Sequence, residues 1–353
     1  MEEERIALTV RHQLSAIHEA FDPAHLNLIL FPTEQCNFRC TYCYEDFEIG
    51  RMSPGVVRGV KALLDARIDS LTSLVVSWFG GEPLLAPDII RSISEHIQSR
   101  AHDALDYQAN ITTNGYLLSA ERFEELLDCG IGVFQISLDG YGDAHDRTRQ
   151  RADGAGTFNR IWDNLKAMQR SQRQDFSILL RVHFFPDNRA DLEELARALN
   201  QQFRNDARFR IYFKDVGKLG GPNDASFSTY TSDECRATKE QLDRLVQNKD
   251  QVYSLDAGRP YVCYAAHANS IAIRADGSLA KCTVALNDSR NHLGRITEDG
   301  VLKVDTHKWR QWLAGFSRGR FDWGELACPY DRMQHESSAP QPMAVIRRDA
   351  SCS

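Results

Sequence analysis

The sequence predicts an α/β fold built on a partial (β/α)6 barrel, like an incomplete TIM barrel, followed by a smaller C-terminal region. Six segments rich in β-branched and aromatic residues alternate with amphipathic stretches over the first two thirds of the chain. Several of these segments are nearly continuous apolar runs, as buried parallel strands are. Six strand–helix units favour an open, partial barrel over a closed barrel of eight strands.

The six predicted strands lie at 26–31, 73–79, 107–112, 132–138, 177–185 and 209–216. The helices between them are predicted near 53–68, 87–101, 119–128, 157–171 and 189–203. A proline in the first turn supports two of the helix starts, at Ser53-Pro54 and Ala86-Pro87. Because ligands of such sheets bind at the carboxyl ends of the strands, we expect the functional residues on the loops that follow the strands.

The part of the chain after the barrel carries fewer signals. A helix is predicted at 232–249, and the turn Asp276-Gly277 between two short apolar segments predicts a β-hairpin. A further helix is predicted near 305–317, with a loosely ordered polar tail after Asp331. The predicted organisation is an N-terminal extension (1–25), the barrel (26–231), a linker helix with a small second domain (232–330) and the tail (331–353).

Composition excludes several classes of protein. The 353-residue chain is 42% hydrophobic and 26% charged, as globular proteins are, and its net charge of −7 gives no reason to expect nucleic acid or an anionic membrane as a partner. It has no apolar run near the roughly 18 residues that span a bilayer. The acidic N-terminus lacks a secretion signal, which predicts a cytoplasmic protein. In that reducing compartment, nine cysteines indicate metal binding or catalysis rather than disulfides.

Three cysteines follow the first predicted strand directly, at Cys36, Cys40 and Cys43. Three thiolates on one short loop can converge on a single metal centre, and they suit an iron–sulfur cluster or zinc. A structural zinc site takes four ligands, and the sequence offers no fourth ligand nearby. Three ligands would leave one iron of a [4Fe–4S] cluster open. The competing interpretation is three ordinary buried cysteines, but a loop with three of them so close together is poor core material.

Polar motifs lie at the ends of the next strands. Gly80-Gly81-Glu82-Pro83 follows the second strand, where glycines let the backbone approach a ligand and Glu82 can accept hydrogen bonds from an ammonium group. A plain turn would have the same composition. Asn114 and Ser137 lie where the third and fourth strands end. Arg181 lies inside the fifth strand, where a buried charge is costly unless it is paired.

The spacing C-x3-C-x2-C after a first strand, with Tyr42 before the last cysteine, resembles the radical S-adenosylmethionine (SAM) superfamily. The resemblance implies that the three cysteines hold a [4Fe–4S] cluster whose open iron is chelated by SAM. Reductive cleavage of SAM would then give a 5′-deoxyadenosyl radical that takes a hydrogen atom from the substrate. By the same resemblance, the cofactor site comprises Tyr42, then Gly80, Gly81, Glu82 and Pro83 at the amino group of SAM, Asn114 in the pocket wall, Ser137 at the ribose, and Arg181 near the carboxylate of SAM or the substrate.

The segment that begins at Asp139-Gly140 and continues through His145-Asp146 resembles a loop of the peptide-modifying branch of this superfamily. We treat this loop as a marker of the branch. A structural role is expected for His145, and also for His183, which lies in the fifth strand two residues after Arg181.

A second set of cysteines resembles the opening of the SPASM and twitch domains, which hold auxiliary iron–sulfur clusters. Cys263, Gly277 and Cys282 form a C-x13-G-x4-C pattern, and Cys328 follows at a distance that suits a third ligand. The resemblance implies one auxiliary cluster in a C-terminal twitch or degenerate SPASM domain. Loss of this cluster is the competing interpretation.

The sequence departs from the full SPASM pattern, which has further cysteines at the positions of Glu325, Gln334 and Ser338. A second auxiliary cluster is therefore not expected. The fourth ligand of the first one is left open between Cys352, Asp331 and substrate. Thr283 stands where sulfatase-maturating relatives have an aspartate that is the base, so the sequence names no catalytic base.

The resemblance favours a maturase of a ribosomally made peptide or protein, which crosslinks or oxidises a residue of this partner. It also implies an electron donor such as flavodoxin or ferredoxin, and a separate leader-binding protein is possible. One alternative is a radical SAM dehydrogenase of a small alcohol or sugar derivative. Another is a non-catalytic protein that binds zinc through its cysteines.

Overall fold

The computed structural model describes residues 2–253, 260–317 and 321–336. Within these ranges, one mixed sheet of ten strands runs in the order β12-β11-β10-β9-β1-β3-β4-β5-β7-β8, and β2 pairs with β6 in a separate ribbon. The strands are β1 (His25–Thr33), β2 (Phe38–Cys40), β3 (Ser73–Gly80), β4 (Asp106–Thr113), β5 (Ile131–Leu138), β6 (Arg149–Arg151), β7 (Ser177–Phe184), β8 (Phe209–Asp215), β9 (Ser270–Ile273), β10 (Ser278–Ala280), β11 (Gly294–Ile296) and β12 (Leu302–Val304). The α-helices are α1 (Glu2–Phe21), α2 (Pro54–Arg67), α3 (Pro87–Arg100), α4 (Ala120–Asp128), α5 (Asp143–Asp146), α6 (Phe158–Gln169), α7 (Leu192–Phe203), α8 (Ser232–Leu245), α9 (Thr306–Trp312), α10 (Ala314–Ser317), α11 (Trp323–Ala327) and α12 (Pro329–Glu336).

The six strands from β1 to β8, without the ribbon strands, pair side by side and in parallel. Helices connect them, so the predicted α/β fold with a partial barrel is confirmed. The residue pattern of β3 shows why such a segment forms a strand. Leu74, Val76 and Trp78 occupy alternate positions along it and are fully buried. Ser53 caps α2 by accepting a hydrogen bond from the backbone N–H of Val56 (3.3 Å), as the predicted helix start requires.

The C-terminal region extends this same sheet. β9 pairs in parallel with β1, and β10, β11 and β12 continue as antiparallel strands. The predicted hairpin is confirmed, with Gly277 at φ +84° in the turn between β9 and β10. The sequence analysis did not foresee that this hairpin joins the edge of the barrel, and the predicted division into domains stays a prediction.

Several helical segments differ from the predicted ones, and α5 and α11 have no predicted counterpart. The N-terminal extension forms α1 over twenty residues. The single helix predicted near 305–317 is divided into α9 and α10. The expected loose tail begins with α12, and the remaining tail, which includes Ser338 and Cys352, lies outside the described residues. Among the helices that the structure describes, none has the length and apolar character needed to cross a membrane.

The β2–β6 ribbon holds the cysteine loop in place. Its register sets Cys40 opposite Arg149 and Phe38 opposite Arg151. Beyond the strands, the N–H of Thr41 donates to the carbonyl of Thr148 (2.9 Å). The segment after β5 therefore holds the loop after β1 through backbone hydrogen bonds.

Candidate active site

A cavity of about 300 Å³ opens at the carboxyl ends of the barrel strands. It lies where parallel α/β sheets bind their ligands. Ten of the residues that the sequence analysis singled out line it: Cys36, Cys40, Tyr42, Cys43, Gly80, Gly81, Asn114, Ser137, Arg181 and His183. Residues far apart in the chain are thus gathered at one site.

The three thiols of the cysteine loop face this cavity. Burial raises the pKa of all three, to about 12 for Cys43. The N–H of Phe38 points at Cys36 Sγ (3.3 Å). As they stand, no three His, Cys, Asp or Glu side chains of the described residues converge closely enough to hold a metal ion. The donor set itself fits an iron–sulfur cluster, because thiolates are its usual ligands and a buried thiolate needs a nearby cation.

Gly80 and Gly81 line the cavity and also allow the end of β3 to lie against the cysteine loop. A Cβ on Gly80 would lie 2.1 Å from the carbonyl oxygen of Thr33, and a Cβ on Gly81 would lie 2.5 Å from that of Gln35. Gly80 also has φ +127°, which side chains disfavour. The end of β3 therefore crosses the start of the cysteine loop at a distance that only glycine permits.

Glu82 and Pro83 do not line the cavity. Glu82 is fully buried behind the cavity wall and accepts three hydrogen bonds. The donors are the N–H of Leu84 (3.0 Å), the hydroxyl of Thr113 (2.8 Å) and the N–H of Asn114 (2.7 Å). In the structure this carboxylate ties the end of β3 to the end of β4, and its role toward the amino group of SAM stays a prediction.

Asn114, Ser137 and Arg181 present polar groups to the cavity from three neighbouring strands. Asn114 Nδ2 donates to Asn37 Oδ1 (2.8 Å), which fixes its amide beside the cysteine loop. Arg181 Nε is buried and has no hydrogen-bond partner among the described residues. Because such a group is costly to leave unpaired, Arg181 is suited to an anionic ligand.

A buried hydrogen-bond network centres on Asp139, at the end of β5. Its carboxylate accepts from the hydroxyls of Tyr42 (2.7 Å) and Thr148 (2.7 Å), and His183 Nδ1 lies 3.1 Å away. Burial opposes the ionisation of Asp139, but its hydrogen bond to His183 and the charge of Arg149 hold its pKa below the usual range. Burial lowers the pKa of His183 to about 4, so its ring is neutral at pH 7. The network fixes Tyr42 between two of the cysteines.

The sequence analysis missed several residues that line the cavity. Lys214 and Asp215 end β8 and contact each other (Nζ to Oδ1, 2.5 Å). The sequence did indicate these two residues, because they lie at the end of the sixth predicted strand, just as polar residues lie at the ends of the other strands. Arg149 also lines the cavity, and only its tertiary pairing with Cys40 reveals this.

In the second set of cysteines, Cys263 contacts the segment that leads to Cys328. The N–H of Cys263 donates to the carbonyl of Leu326 (2.8 Å), which ties it to the segment before Cys328. Burial raises the pKa of Cys263 to about 11, and the nearby thiols of Cys282 and Cys328 raise it further. Of the candidates for a fourth ligand, Asp331 lies on α12 and Cys352 lies outside the described residues.

Thr283, at the position of the missing base, links the two cysteine regions. Its N–H donates to the hydroxyl of Tyr264 (3.0 Å), and its own Oγ1 lies 2.8 Å from the same oxygen. Tyr44, which follows Cys43, donates to the carbonyl of Thr283 (3.1 Å). Tyrosines from both regions therefore meet at this threonine.

Comparison with solved structures shows related folds. A structure of anSMEcpe with bound AdoMet superposes with a TM-score of 0.61 at 17% identity, over 82% of this chain and 84% of that one. Streptococcus suis SuiB bound to precursor peptide SuiA superposes with a TM-score of 0.57 at 13% identity, over 91% of this chain and 71% of that one.

Sequence relatives are found among curated proteins. The GTP 3′,8-cyclase of Microcystis aeruginosa is 32% identical over 191 residues, which is 52% of this chain and only 55% of that protein's length. The probable GTP 3′,8-cyclase of Archaeoglobus fulgidus is 25% identical over 72% of this chain and 85% of its own length. Residues 30–199 match the family model described as the radical SAM superfamily. These residues, about 170 of the 353, are what the chain shares with the radical SAM superfamily, and a [4Fe–4S] cluster and SAM are the cofactors that this similarity implies.

Proposed function

We propose that this protein uses SAM to take a hydrogen atom from a ribosomally made peptide or protein, and so crosslinks or oxidises one of its residues. The observation that carries the proposal is that the three cysteines of the cysteine loop line the same cavity as Asn114, Ser137 and Arg181. A cluster held there by Cys36, Cys40 and Cys43, with SAM and one electron from an external donor, would supply a 5′-deoxyadenosyl radical.

The chain's own residues would divide the remaining tasks. Cys36, Cys40 and Cys43 would hold the cluster by their thiolates. Arg181 would pair with a carboxylate of SAM or of the substrate, because its guanidinium faces the cavity with one N–H unpartnered among the described residues. Tyr42, held by Asp139, would form part of the cofactor pocket.

Two observations support a peptide substrate. The structures of anSMEcpe and SuiB that resemble this fold include complexes with peptides. The second set of cysteines, Cys263, Cys282 and Cys328, offers a place for an auxiliary cluster, which could accept the electron that an oxidative crosslink releases.

The test begins with the protein reconstituted anaerobically with iron and sulfide and reduced by flavodoxin or dithionite. We expect cleavage of SAM to 5′-deoxyadenosine by the wild type and none by the Cys36→Ala variant. Cys129→Ala is the control, because Cys129 is buried next to α4 and away from the cavity. Equal cleavage by the wild type and Cys36→Ala would refute the assignment of the cysteine loop.

Substrate class is tested in the same assay. We add candidate precursor peptides (any short peptide encoded beside the gene), GTP, or a panel of small alcohols and sugars, and follow each by mass spectrometry. A peptide that loses hydrogen and yields stoichiometric 5′-deoxyadenosine supports the proposal. Conversion of GTP would place the protein with its cyclase relatives, and conversion of an alcohol without peptide would make it a dehydrogenase. Either of these results would overturn the peptide proposal.

A further inference from the structure

Arg149 is a buried cation that forms no ion pair with a carboxylate of the described residues. Its side chain is 6% exposed and lines the cavity. Its Nη1 donates to the hydroxyl of Tyr42 (3.0 Å), its guanidinium lies 5.8 Å from the centre of the Phe38 ring, and its Nε has no partner among the described residues. No carboxylate of the described residues lies within ion-pair distance of it.

Asp139, the carboxylate whose charge acts on Arg149, is already engaged. Asp139 accepts hydrogen bonds from Tyr42 and Thr148 and lies beside His183, so it acts on Arg149 only at longer range. Burial of a guanidinium without a paired anion is strongly unfavourable. A fold that keeps such a cation at its cavity wall is therefore built for an anion that binds there.

The backbone shows where that anion belongs. β6 pairs with β2 so that Arg149 lies directly opposite Cys40, and Cys36 and Cys43 lie just before and just after β2. Three thiolates around a cluster bring net negative charge to this loop. Arg151, two residues along β6, is different because it is partly exposed and already paired with Asp153 (2.6 Å).

We propose that Arg149 is the counter-cation of the cysteine loop: its charge balances the three thiolates in the loaded enzyme and raises the potential at which the cluster accepts an electron. This inference rests on the proposed role of Cys36, Cys40 and Cys43 as cluster ligands. The electron comes from an external one-electron donor protein, and no bond to Arg149 forms or breaks. Arg149 is a positioning residue that acts through charge.

The test is a redox titration of the reconstituted protein without SAM, followed by electron paramagnetic resonance. Removal of a nearby positive charge makes uptake of an electron less favourable. We expect Arg149→Met to lower the ratio of reduced to oxidised cluster at least tenfold at a fixed potential, which is a shift of about 59 mV to more negative potential. Arg149→Lys should restore most of the shift. Arg151→Met, the matched control on the same strand, should titrate like the wild type.

A second measurement does not depend on the cluster. In the Cys36→Ala/Cys40→Ala/Cys43→Ala background there is no charge to balance, so Arg149→Met should raise the thermal midpoint by relieving an unpaired buried cation. In the reconstituted wild-type background the same change should lower it. A lower midpoint in both backgrounds would indicate a merely structural arginine and would overturn the proposal.

The outcomes separate this inference from the proposed function. If the wild type takes up no cluster on the cysteine loop, the proposed function fails. If the cluster loads but its potential does not move in Arg149→Met or Arg149→Gln, the counter-cation proposal fails. An unchanged potential with weaker SAM binding would make Arg149 the partner of SAM's carboxylate, which also overturns the proposal.

Discussion

Arg274 and Glu34, 240 residues apart in the chain, form a two-point ion pair in the protein interior. The guanidinium reaches the carboxylate at 2.5 Å and 3.1 Å, and both side chains are almost fully buried. Glu34 lies just before the cysteine loop, and Arg274 follows β9. The remaining amino group of Arg274 donates to the carbonyl of Leu286 (3.0 Å). This pair fastens the start of the cysteine loop to the C-terminal hairpin.

Loss of one partner of this pair should be costly. Arg274→Met leaves the Glu34 carboxylate buried and unpaired, so we expect the free energy of unfolding to fall by about 3–5 kcal/mol, measured in urea. The double variant Glu34→Gln/Arg274→Met should recover part of that loss. Arg295→Met removes an exposed arginine of the neighbouring β11 and should cost less than about 1 kcal/mol. Equal effects of Arg274→Met and Arg295→Met would contradict this account.

The close crossing of β3 over the cysteine loop gives a steric prediction. A methyl group at Gly81 would overlap the carbonyl oxygens of Gln35 and Glu34, at 2.5 Å and 2.7 Å. We expect Gly81→Ala to displace the loop and to retain less iron after reconstitution than the wild type. Gly50→Ala is the control, because its Cβ would meet no atom within 4 Å. Full iron content in Gly81→Ala would show that the loop tolerates displacement.

Buried histidines should make stability depend on pH. His145 is fully buried, and burial lowers its pKa to about 4, against about 6.5 when unfolded. Between these values the unfolded state binds a proton that the folded state does not, so stability should fall as pH falls from 6.5 toward 4. The slope approaches about 1.4 kcal/mol per pH unit for each such histidine. Urea titrations at pH 7.5, 6 and 5 measure it.

The neutral variant provides the control. His145→Gln should reduce this slope by about one proton, while His183 and His267, whose pKa values burial also lowers to about 4, maintain the rest. Asp139 contributes in a different window, because its lowered pKa makes its stabilisation disappear only below about pH 4. An identical slope in His145→Gln and the wild type would show that His145 does not titrate as its burial demands.

The second set of cysteines predicts iron that does not depend on the first. The Cys36→Ala/Cys40→Ala/Cys43→Ala variant should keep about four irons per chain after anaerobic reconstitution, with a [4Fe–4S] Mössbauer signature. Adding Cys282→Ala should remove them. If the triple variant binds no iron, these cysteines hold no cluster, and a redox-neutral reaction such as epimerisation becomes the better hypothesis.

The barrel strands could be predicted to within one or two residues because continuous apolar runs mark buried parallel strands. The predicted run 132–138, for example, is β5 over Ile131–Leu138. The strands β2 and β6 could not be predicted, because three residues show no periodicity. The helix α1 was not predicted, because its sequence carries no chemical motif that marks it.

The residues of the candidate site also fall into two groups: those that sequence motifs mark, and those that only the fold brings to the cavity. Motifs at the ends of strands placed Cys36, Asn114 and Ser137 at the cavity, because chain topology alone brings those ends together. The environment of Glu82 could not be read from its motif, since its partners Thr113 and Asn114 come from a different strand. The position of Arg149 at the cavity could not be predicted either, because it depends on the pairing of β6 with β2.

The pairing of β1 with β9 has a consequence for synthesis of the protein. Asn27 and Ser270 hydrogen-bond across this pair (3.2 Å) although 243 residues separate them. At ribosomal rates of 5–20 residues per second, one edge of β1 stays unpaired for roughly 12–50 s until β9 has been synthesised. Throughout that interval Leu28, Ile29 and Leu30 border an unpaired strand edge, which is a template for aggregation. We therefore expect nascent chains that stop short of β9 to depend on chaperones.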